Sequence, residues 1–170
     1  HEEALRLHNK AYLLDKRNLD TAFCLVDDYM MMGRYQKALS ILKNGREVGG
    51  NKLVTLTKLR EVCIIGQLWE EALKAQKEIV HHSKDKAPAK GEKAILSGIH
   101  HELGQRALQE GRSGDALKEF KTILKSERDF APAYVGMGDA YLAMGKGDEA
   151  LKAWEEGYNV TSCLSLLKKQ

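Results

Sequence analysis

The chain has 170 residues, of which 43% are hydrophobic and 30% charged, so it has enough apolar material for a core and does not read as disordered. A net charge of +3, with acids and bases interspersed, excludes the electrostatic footprint of a nucleic-acid binder. Two prolines and 6% aromatics argue for helices over a sandwich or barrel, and no run approaches the ~20 apolar residues of a membrane span.

In chain order, the dipeptide Ala-Leu recurs at Ala4, Ala38, Ala72, Ala116 and Ala150, with steps of 34, 34, 44 and 34 residues. A 34-residue period is the length of one tetratricopeptide helix–turn–helix unit. It predicts a single all-α, right-handed α-solenoid over 1–170, an architecture that binds other chains and rarely does chemistry. Residues 2–15 read as the second helix of a half repeat. Full repeats follow at 19–52, 53–86, 97–130 and 131–164, and 165–170 open a further unit.

Within a unit, the Ala at position 20 lets the second helix approach its neighbour, and the following Leu fills the core between repeats. Position 8 should be small where the two helices cross, as in Gly104 and Gly138. Position 24 holds Leu42, Phe120 and Trp154. The turn uses Gly33, Gly111 and Gly145, which tolerate positive φ. The repeat 53–86 departs most, with Arg60 at the small position, Cys63 where Tyr is usual and Gln67 in place of the turn Gly. The ten extra residues of the long step fall in KDKAPAKGEK, 84–93, an insertion near 84–96 that reads as a solvated loop. After it, a long first helix is expected from about Glu92 to Glu110.

First helices of such arrays line a concave face, with positions 2, 5, 9 and 12 turned into it. Position 2 gives Asp20, Val54, Gly98 and Pro132. Position 5 gives Phe23, Thr57, His101 and Val135. Position 9 gives Asp27, Glu61, Gln105 and Asp139, and position 12 gives Met30, Ile64, Leu108 and Leu142. An acidic line beside an apolar line suits a partner protein or peptide with apolar anchors and basic residues. Receptors that clamp a C-terminal carboxylate need Asn and Lys at these positions; here position 9 is acidic and position 5 lacks Lys.

Cys24, Cys63 and Cys163 form no CxxC pair and are odd in number, so a reducing, cytoplasmic setting is expected, with Cys24 and Cys63 as small buried hydrophobes. The pairs His81-His82 and His100-His101 read as surface or groove histidines. Neighbours on a helix diverge by ~100° and cannot easily share an ion, so a metal-responsive protein is the weaker alternative. His8, at position 24, reads as a packed histidine with its polar atoms satisfied. No phosphate-binding glycine motif or nucleophile triad is present, so no catalysis, cofactor or metal is expected. The apolar residues Leu5, Leu13 and Leu14 at one end, and Leu164, Leu166 and Leu167 at the other, suggest self-association through end faces.

The segments ALRLHNKAYL, DDYMMMGRYQKAL, QLWEEALKAQKEIV and HHELGQRALQEGRSGDALKEFKTIL resemble successive parts of the bacterial lipopolysaccharide assembly protein B family. The resemblance covers most of 4–158. It implies a non-enzymatic scaffold that helps a membrane protease control the first committed enzyme of lipid A synthesis. It also implies an inner-membrane anchor before the repeats and a zinc module after them, neither of which lies in this sequence. The start at His1, inside a repeat, fits an excised segment of a longer protein. The alternative is a peptide-binding repeat module of another pathway, such as secretion or pilus assembly.

Overall fold

A computed structural model describes the backbone of residues 2–47, 52–82 and 90–167, and the side chains of 2–45, 52–82 and 91–162. Among the described residues the chain forms helices and no strands. They are α1 (Glu2–Leu14), α2 (Leu19–Met31), α3 (Tyr35–Glu47), α4 (Lys52–Ile65), α5 (Trp69–His82), α6 (Lys90–Gln109), α7 (Ser113–Ser126), α8 (Ala131–Ala143) and α9 (Gly147–Leu167). They group into two compact units, His1–Ala89 and Lys90–Gln170. In the first, α1 to α5 pack each on the next; in the second, α6 to α9 do so, and α6 also touches α8.

The hairpin turns share one hydrogen-bonding scheme. The helix ends when a residue turns left-handed, at Gly33, Gln67, Gly111 and Gly145. The next N–H then reaches back five residues: Arg34 N donates to Tyr29 O at 2.8 Å, Leu68 to Cys63 at 2.7 Å, Arg112 to Ala107 at 2.7 Å and Lys146 to Tyr141 at 2.9 Å. This is the Schellman closure, which satisfies carbonyls left over at a helix end. Three of the four left-handed residues are glycines; Gln67 adopts φ 55° with a side chain.

Each closure starts the second helix at the same register, so Ala38, Ala72, Ala116 and Ala150 occupy equivalent sites and all are fully buried. The following leucines grade outward. Leu39 and Leu117 are buried, Leu5 and Leu73 half-buried, and Leu151 is 57% exposed. Leu151 corrects the expectation of a core residue: no later helix among the described residues covers that face of α9.

Three chemistries solve the crossing of position 8 with position 24. In α2 and α3, buried Val26 and Leu42 meet that need as aliphatic side chains. In α6–α7 and α8–α9, glycine makes room for an aromatic ring. A Cβ on Gly104 would lie 2.7 Å from the Phe120 ring, and one on Gly138 would lie 2.1 Å from Trp154 Nε1. In α4 and α5 the contact is polar: Arg60 Nη1 donates to Oε1 of the buried Gln76 at 2.6 Å. Arg60 at a position meant for a small residue is thus matched by a change on the facing helix.

Phe120 also fills the seam to the next hairpin. It is fully buried, and a Cβ on Gly136 of α8 would lie 2.3 Å from its Cζ. Ala107, Ala116, Leu117, Phe120, Ile123, Ala133 and Ala140 form one core cluster of the second unit. The 20-residue α6 spans the region where a lengthened first helix was expected. Residues 83–89 of the insertion lie outside the described residues, as do the side chains of Cys163, Leu164, Leu166 and Leu167.

Candidate protein-interaction groove

In the first unit, α2 and α4 bring groove positions together. A cleft of about 350 Å³ is lined by Phe23, Leu53, Val54, Thr57, Lys58 and Glu61. Leu53 and Val54 are 46% and 47% exposed, so the floor is apolar and open to solvent. Thr57 does not present a free hydroxyl, since its Oγ1 donates to Leu53 O at 2.9 Å. Asp20 is exposed at the start of α2, whereas Met30 and Ile64 are half-buried.

The position-9 carboxylates of this face are already occupied. Lys58 Nζ lies 2.8 Å from Asp27 Oδ1 and 3.3 Å from Glu61 Oε2. Burial pulls the Lys58 pKa down, but its hydrogen bond to Asp27 and the charges of Asp27 and Glu61 outweigh this and leave it raised. Two acids and one base leave this patch a net charge of −1, less than a bare acidic line would carry. Lys58 is the cleft residue that position counting missed. Its i,i+3 partner Glu61 is legible on one helix, but Asp27 comes from the neighbouring one.

In the second unit the groove positions divide. Val135 and Leu142 are 49% and 57% exposed, and Asp139 is exposed with no ion pair to any described residue. Gln105 is half-buried. Leu108 packs against the core cluster. His101 is half-buried, its ring 5.9 Å from that of Phe120 and 6.0 Å from that of Phe130. His101 and Leu108 thus spend much of their surface on packing within the unit.

Two other expectations are corrected, those for His100 and Cys24. His100 is buried, with Nδ1 2.5 Å from Glu119 Oε2, because position 4 faces the second helix of its own hairpin. Cys24 is exposed, because α2 turns Ala22, Leu25 and Val26 inward and leaves position 6 outside; Cys63 is buried as expected. His8 is part-buried, with Nδ1 2.6 Å from Asp28 Oδ2. His81 and His82 are exposed, with ring centroids 6.1 Å apart. No group of three or more potential metal ligands occurs among the described residues. No described helix is long and apolar enough to cross a membrane. A second cleft, of about 420 Å³, lies on the turn side where Tyr35 packs on Gly66, and it contains no groove position.

Residues 107–156 match the tetratricopeptide repeat model. The chain therefore carries a tetratricopeptide repeat. No curated protein sequence matches the chain. Among solved structures it is similar to MamA, with a TM-score of 0.58 at 19% identity over 95% of this chain and 88% of MamA. It is also similar to YrrB, described as a tetratricopeptide protein with an unusual peptide-binding site, with a TM-score of 0.54 at 18% identity over 99% of this chain and 82% of YrrB. At these identities the likeness establishes the fold: all-α, of the tetratricopeptide type.

Proposed function

We propose that this chain is a non-enzymatic protein-interaction module whose first helices receive a helical or extended segment of a partner protein. The observation that carries the reading is the cleft between α2 and α4, where Phe23, Leu53 and Val54 form an apolar floor beside Glu61. Apolar side chains of the partner bury against that floor and supply most of the affinity, while carboxylates at position 9 set register and on-rate. The partner segment carries apolar anchors with Lys or Arg near them. The tetratricopeptide fold and the peptide-binding site ascribed to YrrB are consistent with this use of the groove.

The sequence resemblance to lipopolysaccharide assembly protein B supports a finer reading. The partner is then a protein that controls lipopolysaccharide synthesis, met on the cytoplasmic face of the inner membrane. The rest of the gene distinguishes this from a repeat module of another pathway. An anchor helix before this segment and a four-cysteine zinc module after it favour the first; their absence favours the second.

Panning a displayed library of 12-residue peptides tests the general reading. Enriched peptides should combine two or more large apolar residues with Lys or Arg. Their binding should fall at least tenfold with Val54→Arg, which puts a long charged chain over the floor. Enrichment of nothing, or binding indifferent to Val54→Arg, refutes the cleft as the site.

A further inference from the structure

Lys58 sits unusually for a groove cation. Its side chain is 20% exposed, whereas its partners Asp27 and Glu61 are 56% and 51% exposed. The ammonium is tucked between two open carboxylates at the wall of the apolar cleft. It joins α2 to α4, and it is where a basic side chain from a partner would find its best partners. The other first helices have no cation at this repeat position, which holds Cys24, Glu102 and Gly136.

We infer that Lys58 acts as a built-in substitute for the partner's cation, so that it sets the specificity of the cleft by competing for Asp27 and Glu61. The inference rests on the cleft being the peptide site. A partner Lys or Arg docking there must displace Lys58 or share its carboxylates, and gains only part of a fresh ion pair. Peptides with a neutral polar residue at that point lose nothing to the competition. Wild-type selectivity for basic over neutral segments is therefore lower than two unpaired carboxylates would give. Removing the Lys58 charge should raise it.

The test uses the full chain and two fluorescein-labelled 12-residue peptides with the same leucines, one of repeating Leu-Leu-Lys-Lys and one of repeating Leu-Leu-Gln-Gln. An exposed ion pair changes affinity by roughly two- to fivefold, and two carboxylates are freed. Lys58→Met should therefore bind the lysine peptide about fivefold tighter and leave the glutamine peptide within twofold. Lys58→Arg should behave as wild type. Adding Asp27→Asn and Glu61→Gln to Lys58→Met should abolish the gain. In the wild-type chain, the Lys58 side-chain NMR signal should move towards that of a free lysine on titration with the lysine peptide and stay put with the glutamine peptide; this holds the test open if Lys58→Met folds poorly. Unchanged or weakened lysine-peptide binding in Lys58→Met, with Val54→Arg still blocking both peptides, overturns the inference and leaves the cleft intact. Preference of the wild type for a Leu-Leu-Glu-Glu peptide, lost in Lys58→Met, also overturns it, since Lys58 would then be a contact for a partner's acid. Binding that Val54→Arg does not touch removes the cleft reading and the inference with it.

Discussion

Phe120 is held between two glycines, and that arrangement makes a sharp prediction for Gly136→Ala. The added methyl would lie 2.3, 2.6 and 2.7 Å from three ring carbons of Phe120. The ring has little room to slide away, because the same Cε1 and Cζ atoms also abut Gly104, where a Cβ would lie 2.7 Å from both, and the residue is fully buried. Overpacking of this kind costs about 1–3 kcal/mol, and a clash with a trapped ring belongs at the upper end. Alanine in a helix interior returns about 1 kcal/mol over glycine. The net is a loss of about 2 kcal/mol, or roughly 4–8 °C in Tm for a chain of this size. Gly98 of α6 is the control: a Cβ there meets nothing within 4 Å, so Gly98→Ala should gain about 0.5–1 kcal/mol. Urea unfolding followed by far-UV circular dichroism measures both. Phe120→Leu should partly relieve Gly136→Ala, with a coupling of at least about 1 kcal/mol in the double-mutant cycle. Strict additivity, or a Gly136→Ala as stabilising as Gly98→Ala, would refute the wedge.

Gln67→Gly should stabilise the first unit by about 0.5–1 kcal/mol in the same assay, because a side chain at φ 55° carries a penalty that glycine lacks, partly offset by the entropy glycine regains when unfolded; a loss would mean the Gln67 side chain makes a compensating contact. Burial, with the charge of Glu71 and against that of Lys43, pushes the Cys63 thiol up to about 11, so it stays protonated and shielded at pH 8. In a Cys163→Ser background, a thiol reagent should modify exposed Cys24 at once and Cys63 only after denaturation; prompt reaction of two thiols in the native protein contradicts the packing. The hydrogen bond from Lys43 is the main cause holding the Glu71 carboxyl below its usual range, with the Lys43 and Lys74 charges adding to it against a smaller opposing effect of burial. Its contribution is therefore present above the unfolded carboxylate pKa of about 4.3 and lost as pH falls through the lowered folded value. Glu71→Gln should cost less than about 1 kcal/mol at pH 7, and the gap should close as pH falls through that lowered range; a gap that survives once the carboxylates are protonated assigns the loss to packing instead.

The helical repeat was legible because its signals are local and periodic. One small residue per repeat marks the site where two helices approach most closely, and Ala38, Ala72, Ala116 and Ala150 are all fully buried there. Turn glycines read equally well, since left-handed backbone favours them. Gln67 shows the limit of that signal. The turn keeps its Leu68-to-Cys63 hydrogen bond without glycine, so backbone closure and not residue type defines it. Arg60 was a misfit for a similar reason. Its match, Gln76, stands 16 residues away on the facing helix, and only the hydrogen bond between them makes the exchange intelligible.

The groove was legible in outline and not in charge. Repeat register is a property of one helix, so it identifies which side chains share a face. Phe23, Val54, Thr57 and Glu61 do line one cleft. Electrostatics is a property of neighbouring helices. Whether Asp27 offers a bare carboxylate depends on what α4 places opposite it, and α4 places Lys58 at 2.8 Å. The same reasoning separates the two units. Asp139 has no such neighbour among the described residues, so position 9 is a quenched acid in the first unit and an open one in the second. A partner's basic residue should therefore depend more on Asp139 than on Asp27, and Asp139→Asn should weaken a basic peptide bound at α8 more than Asp27→Asn weakens one bound at α2. Equal losses at both positions, read by titration of the lysine peptide, would mean that Lys58 leaves Asp27 as available as an unpaired acid.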